Sequence, residues 1–213
     1  MTLSLFFVIL GTLIYLVGFL PYIYHVFHGR VVPHPFSWTI WCILSGINTY
    51  VLLWAGVVEM TLLTPFVRTL ALFIGAIIWW FLIRRIRISS FDYICLVLAI
   101  LCLAIAYVYG VNQAIIPTII VDILVLLPTL HKIWNDPRSE DAFAWICVVF
   151  SQACVLLSLS NHTFENSVFW AYVMTINALV AIFIYRRQLY VSNWRYRVRA
   201  IFSRLNFSRN KLE

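Results

Sequence analysis

Asp122, Arg68, Asn177 and Asn48 lie inside long apolar stretches, at depths where a membrane would surround them with lipid. An ionisable side chain in that position is costly, and it marks a solute pathway, a proton relay or a buried pair. Asp122 lies nine residues into its stretch and Arg68 about seven into its own, so at about 1.5 Å per residue their depths overlap. They can meet if their helices face each other. The pair then either couples protons or orients a solute in a central cavity, or else forms a static ion pair locking two helix groups. Asn177 and Asn48 are mid-stretch amides, each able to hydrogen-bond a solute or to make an interhelical bond worth about 0.6 kcal/mol. For Asn48 the interhelical role weighs more, and for Asn177 the solute. All four are candidate substrate contacts.

A second group sits near the ends of two stretches. Pro21 and Pro128 each remove a backbone donor and leave a carbonyl unpaired, which makes a weak point where a helix can bend. Tyr22 and Thr129 follow them, each with a hydroxyl that can bond across a pathway. These four are candidate gate residues. His25, His28 and His34 cluster around one loop and His131 near another, but neighbouring carboxylates are missing from the first loop, so gating or interfacial roles are expected and no metal site. Cys42, Cys95, Cys102, Cys147 and Cys154 all lie in apolar stretches and read as packing residues. No nucleophile elbow, His-Glu-x-x-His or Gly-rich phosphate loop occurs, and Lys132 and Lys211 both lie at or beyond a cytoplasmic span end, which excludes a retinal Schiff base. The expectation is a non-enzyme without a cofactor.

The elements that must position these residues follow from composition. Of 213 residues, 63% are hydrophobic and 11% charged, with a mean hydropathy of +0.94. Ordinary globular domains are about 45–50% apolar and about 25% charged. A soluble domain, a disordered chain and a nucleic-acid binder are therefore excluded, despite the net charge of +7. The apolar stretches are continuous and not alternating, which excludes a membrane β-barrel. Seven spans fit, over roughly 3–26, 36–58, 61–83, 91–109, 114–134, 142–160 and 167–185, with short loops and no room for a soluble catalytic domain. The first reads as a retained span and not a signal peptide, for it lacks a basic leader and a small-residue cleavage site.

Charge orients the spans. The segments after spans 1, 3, 5 and 7 hold 14 of the 15 Lys and Arg, and Arg68 is the fifteenth. The positive-inside rule then places the N-terminus outside and the C-terminus in the cytoplasm. Trp38, Trp41, Trp79, Trp80, Trp134 and Trp145 map to cytoplasmic span ends, and Trp54 and Trp170 to outer ends, so the tryptophans read as an aromatic belt. Beyond the last span, Tyr190, Val191, Trp194, Val198, Ile201, Phe202 and Leu205 recur at helical spacing, with Arg195, Arg197, Arg199 and Arg204 on the other side. That predicts a basic amphipathic tail over 188–213, helical over 188–207 and lying on an anionic inner leaflet, with Ser208 to Glu213 disordered.

An offset of 107 superposes Pro21 on Pro128, Phe36 on Phe143 and Trp38 on Trp145, and both spans 3 and 7 end in Arg-Arg, at Arg84-Arg85 and Arg186-Arg187. An odd number of spans per unit requires a linker span if the copies are to run parallel, and parallel repeats are a transporter architecture. With these features the chain resembles the PQ-loop superfamily, which includes the SWEET sugar transporters. Pro21 and Pro128 match the proline of the Pro-Gln motif, and Tyr22 and Thr129 stand where its glutamine would be. Asn177 matches by depth a sugar-binding asparagine of span 7, while its counterpart in span 3 is Gly75. The resemblance implies an all-α integral membrane protein, with three-helix bundles over 1–87 and 112–187 joined by a linker helix over 88–111. It also implies alternating-access transport of a small polar, sugar- or vitamin-like metabolite. The cell membrane, as a bacterial inner membrane, is the expected location, and homo-oligomerisation stays open. The alternative is a non-transporting receptor or sorting protein of the same plan.

Overall fold

A computed structural model of the chain describes residues 3–54, 63–78, 80, 88–109, 115–159, 161–162 and 164–209. Among these, seven α-helices occur and no strand: α1 (Leu3–Phe27), α2 (Pro35–Trp54), α3 (Leu63–Ile78), α4 (Ser90–Tyr109), α5 (Ile115–Asn135), α6 (Ala142–Ser158) and α7 (Phe164–Arg209). A 3-10 turn, Pro137–Ser139, leads from α5 towards α6.

Local chemistry sets the helix ends. Gly29, at φ 66°, takes the left-handed conformation that closes α1, and Arg30 N donates to His25 O at 2.9 Å. Pro35 opens α2, where a missing N–H costs nothing. Ser89 and Asp92 cap α4 reciprocally: Ser89 N donates to Asp92 Oδ2 at 2.7 Å, and Asp92 N donates to Ser89 Oγ at 3.3 Å. Asp92 thus fills the helix-capping role its position suggests. Asp141 caps α6 by accepting from Phe143 N at 2.9 Å.

Three helices are long and apolar enough to cross a membrane, over Leu3–Phe27, Ile116–Asn135 and Ser167–Ser192, and four shorter apolar helices accompany them. Their outer faces are apolar too. Val17, Leu20, Ile94, Leu101, Phe150 and Leu157 are each more than half exposed, which suits a lipid surround and not water. This is a helical architecture of membrane type.

The most extensive packing is α1 on α6, followed by α6 on α7, α2 on α3 and α4 on α5; α1 also meets α3, and α5 meets both α2 and α7. Small residues allow the α1–α6 approach. A Cβ at Gly11 would lie 2.9 Å from Cys154 Cβ, and one at Gly18 would lie 2.4 Å from Cys147 Cβ. Both cysteines are free and buried, so they serve here as packing residues.

One end of the bundle holds Ser4 of α1 against Ser158 of α6, joined by a 2.7 Å bond from Ser4 Oγ to Ser158 O. The other end gathers the exits of α1 and α5 and the starts of α2, α4 and α6. There Val32 N donates to Ser139 O at 3.0 Å, and Gln188 of α7 donates to Pro137 O at 2.9 Å. Helix α7 runs on unbroken for 46 residues, so no break separates a seventh span from the basic tail. The tail side chains from residue 193 onward, and the loop charges Glu59, Arg84, Arg85 and Arg87, lie outside the described residues.

Candidate functional site

Between the helices lies a cavity of about 90 Å³ to which every helix except α4 contributes. Arg68 of α3, Asp122 of α5 and Asn177 of α7 line it together. Six aromatic residues help form its walls: Tyr15, Phe19 and Tyr22 from α1, Trp38 and Trp41 from α2, and Trp145 from α6. Tyr22 stacks on Trp38 with ring centroids 5.2 Å apart, and Trp41 meets Trp145 edge-on at 5.9 Å.

Asp122 and Arg68 share the cavity without forming an ion pair. Among the described residues, Lys132–Glu140 is an ion pair, and His25–Asp141 and His34–Asp92 are histidine–carboxylate contacts. The Asp122 carboxylate instead accepts from the Tyr172 hydroxyl at 2.8 Å. Arg68 is close enough to attract it electrostatically, yet makes no hydrogen bond or ion pair of its own among the described residues. Asn177 donates from Nδ2 to Val173 O at 2.7 Å, within its own helix. The side chain of Asn48 lies outside the described residues.

Gly75 of α3 has a steric task. A Cβ there would lie 2.0 Å from Trp38 Cζ3. The glycine leaves the space that lets Trp38 form the cavity wall.

Below the cavity, towards the end where α1 and α5 exit, the structure closes over a buried carboxylate. Glu140 is 2% exposed. Its Oε1 lies 2.5 Å from Lys132 Nζ, and its Oε2 accepts from the Tyr22 hydroxyl at 3.1 Å and from Trp145 Nε1 at 3.3 Å. Lys132 also donates to Val32 O in the loop after α1. The carboxylate therefore ties α1, the first loop, α5 and α6 together. Thr129 makes a second crossing, donating to Ser37 Oγ of α2 at 2.9 Å, and Ser37 in turn donates to Val125 O at 2.6 Å. Pro21 is exposed and Pro128 buried; α1 runs on past the first to Phe27 and α5 past the second to Asn135.

The histidines find carboxylates from other elements. His25 Nδ1 lies 3.0 Å from Asp141 Oδ2, and His34 Nε2 lies 3.6 Å from Asp92 Oδ1. Burial pushes His34 down to about 4, helped by the Lys132 and His131 charges and opposed by Asp92. No group of three or more potential metal ligands occurs among the described residues.

Several site residues escape a reading of the sequence. Trp38, Trp41 and Trp145 read as belt residues, yet they face the cavity. Glu140 sits in a charged loop, and nothing in its neighbours marks it as buried. In the sequence an offset of 107 sets Trp38 against Trp145, the one sign there of a shared inward role. No protein-family model, curated protein or solved structure matches the chain.

Proposed function

We propose that this chain is a membrane carrier of the PQ-loop, SWEET-like kind, moving a small polar metabolite by alternating access. In this reading seven spans form two parallel three-helix bundles, α1–α3 and α5–α7, with α4 as the linker. The N-terminus is outside and the C-terminus cytoplasmic, in a bacterial inner membrane.

The helix packing supports the repeat. Exchanging α1, α2 and α3 for α5, α6 and α7 turns the α1–α6 contact into α2–α5, α1–α3 into α5–α7, and α2–α3 into α6–α7; all six pairs are present. The observation that carries the function is the cavity itself. It holds Arg68, Asp122 and Asn177 between the two helix sets, and one of its ends is closed by side chains that cross from one set to the other. A static bundle gains little from leaving two half-buried groups of opposite charge unpaired, whereas a carrier needs them free for its solute. The closed end is the inner gate, with Tyr22 and Thr129 as its crossing hydroxyls and Pro21 and Pro128 as the points where α1 and α5 bend. The basic tail of α7 binds anionic lipid.

The test is reconstitution. Purified protein in sealed vesicles should exchange labelled solute with the lumen, and Asp122→Asn or Arg68→Ala should lower that flux at least about tenfold while leaving the protein folded. Folded protein without flux for sugars, vitamins or amino acids contradicts the carrier and favours a receptor of the same plan.

A further inference from the structure

We infer that the cavity recognises a zwitterion with a flat ring, the chemistry of an aromatic α-amino acid, with its carboxylate on Arg68 and its ammonium on Asp122. The inference rests on the carrier reading for the site's purpose, but its argument is local. A basic and an acidic side chain, Arg68 and Asp122, face one small cavity from different helices and form no ion pair with each other. A monoanion bound at Arg68 would leave the site with a net negative charge, and a monocation at Asp122 would leave it positive. Either imbalance is costly away from water. A neutral polyol offers hydroxyls but leaves both charges uncompensated. A zwitterion answers each charge with its opposite and keeps the site neutral.

Geometry favours a particular order. Arg68 makes no hydrogen bond or ion pair among the described residues, so its planar fork of donors is available for a two-point bond to a carboxylate. Asp122 is held by Tyr172 at 2.8 Å, which orients the carboxylate and leaves it capacity to accept from an ammonium. Six of the fourteen lining residues are aromatic, and they come from both helix sets. Rings in edge-on and stacked arrangements are good partners for a third ring. A sugar would use one such platform; here α1, α2 and α6 each supply one or more rings to the wall.

Binding to the purified full-length protein tests the inference without any flux. The probes are L-phenylalanine, phenethylamine (no carboxylate), 3-phenylpropionate (no ammonium), L-alanine (no ring) and glucose. L-Phenylalanine should raise the melting temperature, and loss of any one of its three features should weaken binding by about tenfold or more. In Arg68→Gln the amino acid should bind no better than phenethylamine, and in Asp122→Asn no better than 3-phenylpropionate. If these variants do not fold, the analogue series on the unaltered protein decides. Glucose binding best, the one-charge analogues matching the amino acid, or no probe binding would each overturn the inference. Zwitterion binding without flux in sealed vesicles would sink the carrier reading and leave this inference standing. Sugar flux without zwitterion binding would do the reverse.

Discussion

The Tyr22 hydroxyl donates to Glu140 Oε2 at 3.1 Å, although 118 residues separate the two in the chain. Both are almost fully buried. Glu140 also holds Lys132 in an ion pair whose side chains are 1% and 11% exposed. Removing one partner of such a pair strands the other charge, at a cost of about 3–5 kcal/mol. Glu140→Gln should therefore lower stability strongly, and Tyr22→Phe by only about 1 kcal/mol, the worth of one hydrogen bond. Adding Lys132→Met to Glu140→Gln should restore part of the loss, read as melting temperature in a double-mutant cycle. Additive losses would mean that the pair is not coupled.

His34 makes stability depend on pH. Its folded value of about 4 lies below the ordinary one near 6.5, because it is 1% exposed and packed beneath Lys132 and His131, with Asp92 offsetting only part of the cost. Between those values the unfolded chain binds the extra proton. Stability from this group is full above about pH 6.5 and declines as pH falls to about 4, by on the order of 3 kcal/mol. His34→Asn should flatten that part of the melting-temperature profile relative to the parent. An unchanged slope would show that other groups carry it.

The path from sequence to structure was uneven, for physical reasons. Long apolar runs report helices reliably because each span must satisfy its own backbone. Arg68 and Asp122 were visible because a charge in such a run has few bland explanations. Depth along a helix is legible but direction is less so. Trp38, Trp41 and Trp145 lie at span ends, where belts occur, and only packing turns them inward. Glu140 lies between Ser139 and Asp141 in a short polar loop. Its burial is set by α1 and α7, which the local pattern does not report. The direct Arg68–Asp122 bond that matching depths allow is absent; the Asp122 carboxylate accepts from the Tyr172 hydroxyl of α7 instead.

Two glycines should respond differently to the same change. Gly75→Ala places a methyl 2.0 Å from Trp38, so the ring must move or the helices part. A loss of about 1–3 kcal/mol is expected for such overpacking, with a changed Trp fluorescence spectrum. At Gly46 the new methyl meets only Thr69 Cγ2 at 3.7 Å, an ordinary contact. Gly46→Ala should leave melting temperature unchanged or slightly raised. Equal effects from the two would contradict the wall geometry.

Orientation is open to chemical labelling. Single cysteines at Glu59 or Glu165 should react with an impermeant thiol reagent from outside intact cells, and those at Arg87 or Arg138 only after lysis. The reverse pattern would overturn the assignment of the basic side to the cytoplasm.

Accessibility of the cavity from each face of the membrane tests alternating access most directly, and it requires no knowledge of the solute. Val148 lines the cavity. A single cysteine there, in a chain whose five native cysteines are replaced, would be challenged with an impermeant thiol reagent from each side of oriented vesicles. With the Tyr22–Glu140 closure intact, the account predicts labelling from the outer face and little from the cytoplasmic face. Glu140→Gln, which frees that closure, should shift labelling to the cytoplasmic face. A cysteine labelled from neither face, or from the same face with and without Glu140, would contradict the account.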